Sequence, residues 1–242
     1  MPRIGRVRAR IREDAFVLDI GEKALPLVVR RHPAAKRLTL RVDPDGPRAI
    51  VTIPSGLDPA EGFDMAARRR GWIAARLGKV AERIPFDDGT IIPIGGEPVI
   101  IRHCPSARRG VWLEDGCLYV SGESAHVSRR VRDWLRAEAS RRLREAVEEK
   151  AALLGRPFGR ISVRDTKSRW GSCSARGDLS FCWRLILAPS HVLEYVAAHE
   201  VAHLAEHNHG PRFWKQVAAL TPVADSARAW LKREGGALRR YG

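Results

Sequence analysis

The chain has 242 residues and a hydrophobic content of 44%, which is ordinary for a globular protein with one sizeable domain or two small ones. No apolar run approaches the ~18 residues of a membrane-spanning helix, and the N-terminus lacks the hydrophobic core of a signal peptide, so we expect a cytoplasmic protein with no membrane partner. The formal net charge of +15, from 43 Lys and Arg against 28 Asp and Glu, instead favours a polyanionic partner, and nucleic acid is the commonest polyanion of a cytoplasm.

Residues 1–22 are predicted to form a basic N-terminal segment. Its arginines meet no acidic residue before Glu13, and they are Arg3, Arg6, Arg8, Arg10 and Arg12. Clustered arginines bind phosphates rather than base edges, which predicts nucleic-acid binding that is largely independent of sequence. An arginine-rich composition without any nucleic-acid role explains the same charge, since neither a DNA-reading motif nor interleaved aromatic residues accompany it.

Residues 23–122 are predicted to form a β-rich N-terminal subdomain with one long helix. Alternating apolar residues bounded by turn-forming residues predict strands over 24–29, 37–42, 49–53, 91–104 and 111–120. The helix is expected to begin after Asp58 as N-cap, with Pro59 in its first position and Glu61 completing a capping box. Its apolar side is expected to continue as far as Val80.

Residues 123–242 are predicted to form the second subdomain, which opens with a long helix over 126–154. Strands over 161–163 and 178–187 follow, and the second of them is expected to pair with an extended peptide as an edge strand. A helix over 189–205 that is apolar nearly all the way round indicates burial, with Ser190 as its N-cap. A helix from Pro211 and a last helix capped by Asp225 complete the chain.

His199-Glu200-Val201-Ala202-His203 reads H-E-x-x-H within this apolar helix. Residues four apart share one helix face, so the two histidines can hold one metal ion from adjacent turns. Glu200 then lies near the open coordination position, where a zinc hydrolase uses a glutamate as general base. Burying these three polar side chains costs free energy unless a metal or hydrogen bonds satisfy them. Two hydrogen-bonded core histidines without a metal are the alternative.

His209 is the favoured third ligand. Asn208 before it and Gly210-Pro211 after it favour a left-handed helix end, which would turn the chain back toward the metal. The resulting spacing, H-E-x-x-H-x-x-x-x-x-H, is the ligand spacing of metzincins. Glu206 stands where those enzymes carry a glycine, so the turn cannot be identical.

Other candidate metal ligands are weaker. One further helical turn carries His207 ~6 Å along the axis, away from a metal held by the first two histidines. Asp225 or Glu234 could supply a carboxylate from further along the chain. The four cysteines form no C-x-x-C pair, which predicts reduced thiols rather than a second metal site or a redox motif.

Several stretches resemble the YgjP-like metallopeptidase family in residues, order and spacing. They are Thr166 to Ser174, Trp183 to Pro189, His199 to His209, and Phe213-Trp214, with a weaker resemblance from Arg31 to Trp72. The family is related to SprT-like and WLM-type zinc proteases. The resemblance implies Zn²⁺ on His199, His203 and His209, with Glu200 as general base. Together with the order of the elements, it implies an α+β, zincin-like metallopeptidase domain that carries the H-E-x-x-H helix and follows the β-rich part.

The predicted activity is zinc-dependent hydrolysis of peptide bonds in a protein or peptide substrate, with Glu200 accepting a proton from the metal-bound water. Arg169, Tyr195 and His207 are all candidates for stabilising the oxyanion. The stretch from Ser168 to Ser172 is equally predicted as a turn that supports the metal-binding helix.

Two alternative functions remain open. The first is a nucleic-acid-associated zinc protease that acts on DNA-bound proteins, which the charge and the SprT-like kinship favour. The second is a non-enzymatic protein whose metal only stabilises the fold. Glu200 argues against the second, because a structural metal site needs no carboxylate beside its first ligand.

Overall fold

The computed structural model describes residues 12–21, 23–43, 48–77, 83–166 and 168–242. The chain forms two compact units, Met1–Glu82 and Arg83–Gly242. The arginines at positions 3, 6, 8 and 10, on which the predicted basic segment depends, lie outside the described residues. Within the described part of the chain, no helix combines the length and apolarity needed to cross a bilayer.

The first unit contains a four-stranded sheet followed by two helices. Its elements are β1 (Arg12–Ile20), β2 (Lys23–Arg31), β3 (Thr39–Val42), β4 (Ala49–Ile53), α1 (Pro59–Arg68) and α2 (Arg70–Leu77). The strand order is β1-β2-β4-β3, with β2 and β4 parallel and the other neighbours antiparallel. The predicted basic segment over 1–22 is therefore wrong in its extent, because β1 pairs with the whole length of β2 and buries Leu18.

α1 begins as predicted, with Asp58 as N-cap, a proline in the first turn and a capping box completed by Glu61. A Cβ on Gly62 would lie 2.7 Å from Cγ1 of Val29, so glycine allows this helix to approach the sheet closely. The single long helix that we predicted is broken at Arg69, because that residue leaves the helical region at φ −107° and ψ 18°.

The second unit contains two sheets and four α-helices among its described residues. The elements are β5 (Ile91–Ile94), β6 (Glu97–Cys104), β7 (Val111–Glu114), β8 (Cys117–Ser121), α3 (Val127–Leu154), β9 (Ile161–Arg164), β10 (Gly171–Cys173), β11 (Leu179–Cys182), α4 (Ser190–Ala202), α5 (Pro211–Leu220) and α6 (Ala224–Glu234). Short 3-10 helices cover Ser124–His126, Trp183–Leu187 and Gly235–Arg240. One sheet has the order β5-β6-β8-β7 and the other β10-β11-β9.

The sheet of β5 to β8 shares one hydrophobic core with the helices of the second unit. Ile92, Ile101 and Leu118 from this sheet belong to the same fully buried cluster as Val131 and Leu135 of α3. Burying these apolar side chains together holds the sheet and α3 in one cooperative unit. The predicted boundary between residues 122 and 123 is therefore wrong, and the division falls after Glu82.

Candidate metal centre

α4 is buried on nearly all sides and carries His199 and Glu200 into the interior of the second unit. The helix contacts α3, α5, α6 and β10, which accounts for its almost continuous apolar sequence. Pro189 is its N-cap, and the Pro189 carbonyl accepts a hydrogen bond from the Val192 N–H at 2.8 Å. Ser190, the predicted N-cap, is instead the first helical residue.

His199, His203 and His209 come together at the C-terminal end of α4. One ring nitrogen from each of them lies within 4.8 Å of the other two. The Nε2 atoms of His199 and His209 are 3.2 Å apart. Three converging imidazole nitrogens could hold one metal ion, as the spacing of the motif predicts.

The chain reaches His209 by a different route from the predicted one. α4 ends at Ala202, and His203 is its C-cap with right-handed angles of φ −66° and ψ −16°. Gly210 has φ −83°, and Asn208 is not among the described residues with positive φ. The predicted left-handed helix end at these two residues is wrong, because the helix stops before them and the turn needs no left-handed residue.

A backbone carbonyl group orients the His203 ring, and a tryptophan holds the backbone at His209. Nδ1 of His203 lies 3.0 Å from the Glu206 carbonyl oxygen, and since a carbonyl only accepts, the proton is on Nδ1. The Nε2 lone pair of that ring is then free to bind a metal. The indole N–H of Trp214 donates to the His209 carbonyl oxygen at 3.1 Å, which holds the turn against α5.

Phe213 packs among all three histidines. Its ring centroid lies 4.9 Å from that of His199, 4.5 Å from that of His203 and 4.7 Å from that of His209. The Phe213 side chain is fully buried. It restricts rotation of the three imidazoles, so it acts as core packing beneath the site.

Glu200 is buried beside the histidines, with 5% of its surface exposed. A Cβ on Gly171 would lie 2.5 Å from Oε1 of Glu200, so only glycine leaves room for this carboxyl group against β10. Burial raises the pKa of Glu200 to about 7, and the positive charge of Arg169 opposes this rise.

Burial favours the neutral form of two of the histidines, which is the form that binds metals. Burial lowers the pKa of His199 to about 4, and the positive charges that His203, His209 and Arg228 can carry lower it further. Burial likewise lowers the pKa of His203. At pH 7 protons therefore do not compete for these two rings.

The three candidates for oxyanion stabilisation lie at different places. Tyr195 is 5% exposed, and its hydroxyl oxygen is 3.4 Å from Nδ1 of His199. Arg169 is exposed, but its charge reaches Glu200. His207 is exposed and is not one of the three grouped histidines.

The two carboxylates considered as alternative third ligands are not in the histidine group. Asp225 lies 3.7 Å from the guanidinium of Arg228, and Glu234 lies 2.8 Å from that of Arg233. Asp225 is also not the cap of α6, since Val223 holds that position and Asp225 lies in the first turn.

A cavity of about 240 Å³ opens beside Glu200. It is lined by Trp170, Gly171, Tyr195, Val196, His199, Glu200 and Leu231. β10 forms one side of it and is an edge strand, since β11 pairs with β10 on one side and with β9 on the other. The prediction that the strand over 178–187 would offer a free edge is therefore wrong, because β11 lies in the middle of its sheet and Trp183–Leu187 form a 3-10 helix.

Sequence reasoning missed several residues around this cavity. Trp170 and Gly171 lie in the stretch from Ser168 to Ser172, but no local sequence pattern indicates that Gly171 closely approaches Glu200. From α6, Leu231 lines the cavity, and the Arg228 guanidinium lies 4.5 Å from the ring centroid of Trp214. No spacing rule connects a last helix with the metal motif, so packing alone reveals these two residues.

Comparison with known proteins places this site in a family context. A family model described as YgjP-like, metallopeptidase domain, matches residues 36–234. No curated protein sequence is significantly similar to the chain. Among solved structures, the crystal structure of the metallopeptidase zymogen of Pyrococcus abyssi abylysin is similar at a TM-score of 0.34 and 23% identity, over 38% of this chain and 95% of that chain.

Proposed function

The chain belongs to the YgjP-like metallopeptidase family, and from this premise we propose that it is a zinc-dependent peptidase of zincin-like architecture. His199, His203 and His209 hold the zinc ion in this proposal, and Glu200 is the general base. The single observation that carries it is the convergence of the three imidazole nitrogens beside a buried carboxyl group and an open cavity.

The spacing of one pair of these nitrogens suits zinc. Zn–N bonds of ~2.0–2.1 Å at tetrahedral angles place two ligand nitrogens ~3.3 Å apart. The Nε2 atoms of His199 and His209 are 3.2 Å apart. Three neutral imidazoles also leave one coordination position for substrate, which is typical of catalytic rather than structural zinc sites.

Glu200 is suited to proton transfer. A bound zinc ion would supply Lewis acidity, which polarises the scissile carbonyl group. Glu200 takes a proton from the attacking water on a carboxylate oxygen and passes it to the leaving amine. Burial raises the pKa of this carboxyl group to about 7 in the metal-free protein, and the charge of a bound zinc ion would favour the carboxylate form that accepts the proton.

The free edge of β10 and Tyr195 are proposed to act on the substrate. An extended peptide can add to the edge of β10, which places it beside the cavity at Glu200. Of the three candidates for oxyanion stabilisation, Tyr195 is the one that lines the cavity together with His199 and Glu200. Its hydroxyl can donate to the developing oxyanion.

Nucleic acid is proposed as a second partner on a separate observation in the first unit. Trp72 on α2 is 45% exposed. Arg76 follows it by four residues on the same helix, so the two side chains lie on one face, and both are exposed. An exposed indole beside a guanidinium group suits a stacked base with a neighbouring phosphate, which favours a protease that acts near nucleic acid.

Metal content and proteolysis test the peptidase proposal together. We expect the purified full-length protein to hold about one equivalent of zinc by elemental analysis and to cleave casein, with chelation abolishing cleavage and added zinc restoring it. Glu200→Gln should keep the zinc and lose at least ~100-fold in rate, because general-base catalysis contributes 10²–10⁴-fold. Glu194→Gln, on the exposed side of α4, is the matched control and should cleave like the wild type.

The possible results separate the functions. Zinc binding without cleavage of casein or any peptide would favour a non-enzymatic protein with a structural metal. Undiminished cleavage by Glu200→Gln would remove Glu200 from the mechanism while leaving the metal site in place.

A further inference from the structure

A second concave surface continues the cavity beside Glu200, and we call it the α6 groove. Its volume is about 390 Å³, and it is lined by Tyr195, Asp225, Arg228, Ala229, Leu231 and Lys232. Tyr195 and Leu231 also line the cavity at Glu200, so the two concavities adjoin along these side chains. A substrate held at Glu200 would therefore reach the α6 groove with a neighbouring residue.

The α6 groove carries net positive charge. Arg228 and Lys232 are four residues apart on α6, so they lie on the same face of the helix. Asp225 is the groove's carboxylate, but its side chain is 100% exposed and lies 3.7 Å from the Arg228 guanidinium. Such an exposed ion pair contributes little free energy, so an incoming anion can replace Asp225 beside Arg228. The groove therefore offers a cation to an incoming anion.

Arg228 is held in a defined position close to the histidines. Its guanidinium carbon lies 4.5 Å from the ring centroid of Trp214. That ring is in turn 6.0 Å from the rings of both His199 and His209. A guanidinium stacked on an aromatic face keeps its N–H edge free, and that edge matches the geometry of a carboxylate.

We propose that the α6 groove is a subsite for an acidic side chain of the substrate, Asp or Glu, close to the scissile bond. Arg228 is the residue that recognises the carboxylate, and Lys232 adds attraction at longer range. The inference rests on the proposed peptidase function, because it assigns a substrate class to the same site.

Binding to a cleavage-deficient protein tests the subsite without relying on activity. The probe is a set of fluorescein-labelled octapeptides of alanine and leucine, in which Glu, Gln or Lys occupies each position in turn. In zinc-loaded Glu200→Gln protein, we expect the Glu peptide to bind roughly tenfold tighter than the Gln peptide at one position, as one charge-assisted hydrogen-bonded pair allows. Adding Arg228→Gln should remove the difference, whereas Arg233→Gln, on the same helix but in an exposed pair with Glu234, should preserve it.

Equal binding of Glu and Gln peptides at every position would overturn the subsite, as would a Glu preference that survives Arg228→Gln. Failure of all the peptides to bind at ~1 mM would overturn it as well, because a specific carboxylate subsite should be detectable at that concentration.

Cleavage by the wild-type protein separates the subsite from the peptidase proposal. We expect kcat/KM to favour Glu over Gln at the same position, and Arg228→Glu to reverse the preference toward Lys. Cleavage of all peptides at one rate would overturn the acidic subsite and leave the peptidase intact. A binding preference for Glu without cleavage of any peptide or of casein would support the subsite and overturn the peptidase function.

Discussion

The fold places the three histidines next to one apolar ring and Glu200 against a glycine. Phe213 contacts all three imidazoles, while Glu200 lies against the backbone of Gly171. Without a metal, a buried carboxylate costs free energy, and its raised pKa expresses this cost. The carboxyl group that is proposed as the general base therefore lowers the stability of the metal-free fold.

Replacing Glu200 by glutamine should stabilise the metal-free protein at alkaline pH. The folded-state pKa of about 7 lies above the ordinary value of 4.5, so folding favours the protonated acid and this stability is lost as the pH rises from 4.5 through 7. We expect Glu200→Gln to exceed the wild type by up to about 3 kcal/mol at pH 8, and by much less at pH 5. Urea unfolding of chelator-treated protein measures this, with Glu194→Gln as control. A difference that does not change with pH would show that the Glu200 carboxyl group is not buried as described.

Removing His209 should weaken zinc binding far more than removing His207. The His209 Nε2 atom belongs to the converging group, whereas His207 is exposed and outside it. Loss of a direct ligand should raise the zinc Kd by roughly 100-fold or more, since even outer partners of metal ligands contribute 10–100-fold. Competition with a chromogenic chelator compares His209→Ala with His207→Ala. Equal losses would place the third ligand elsewhere.

At the scale of elements, the last residues of the chain brace the wall of the cavity. Nη1 of Arg239 donates to the Thr166 carbonyl oxygen at 2.8 Å, and its guanidinium lies 4.9 Å from the ring centroid of Trp170. Gly235 packs on the same ring, since a Cβ there would lie 3.2 Å from Cζ2 of Trp170. The buried Arg184 pairs with Asp165 and donates to the Tyr241 carbonyl oxygen. The C-terminal 3-10 helix thus holds Trp170 at the cavity.

Truncating Arg239 should loosen that wall. Arg239→Ala removes one hydrogen bond and one cation–π contact, which together should cost about 1–2 kcal/mol of unfolding free energy. Backbone amides between residues 168 and 173 should exchange hydrogen faster, as measured by mass spectrometry. Arg233→Ala serves as control, because Arg233 is exposed and pairs with the neighbouring Glu234. Unchanged exchange in Arg239→Ala would show that Trp170 is held without the C-terminal residues.

At the scale of the whole molecule, the net charge of +15 is unevenly compensated. On α3 several arginines pair with acids four residues further along, and these pairs are Arg129–Asp133, Arg141–Glu145 and Arg144–Glu148. In the described part of the first unit, Arg68, Arg69 and Arg76 are exposed and form no such pair. The uncompensated charge near Trp72 is therefore the better candidate for phosphate contacts.

Neutralising these arginines should weaken binding to single-stranded DNA. We expect the wild type to bind a random-sequence oligonucleotide at ~50 mM salt, where screening is weak. Changing Arg68, Arg69 and Arg76 together to glutamine should lower the affinity and reduce the salt slope by about 2, because each phosphate contact adds ~0.7. The same change at Arg129, Arg141 and Arg144 is the matched control. If the wild type does not bind DNA at ~50 mM salt, the net positive charge reflects an arginine-rich composition and not a nucleic-acid-binding function.

Much of the secondary structure was predictable because its signals are local. The Asp58 capping box, the long helix α3, strand β4 and the start of α5 at Pro211 all follow the predicted bounds within a residue or two. Other features were not predictable from local patterns. β1 is defined by its pairing with β2, β11 is central because β10 and β9 flank it, and the break at Arg69 lies within an otherwise continuous helical pattern.

The sequence by itself determined the H-E-x-x-H motif, because four-residue spacing on a helix is a local geometric property. It also indicated the favoured third histidine and the family to which the chain belongs. Tertiary structure alone decided how His209 reaches the other two histidines, which strand edge is free, and which glycine makes room for Glu200. It also decided that Arg228 lies beside the site. These contacts join residues far apart in the chain, and only the packing of α6, β10 and α5 around α4 brings them within reach.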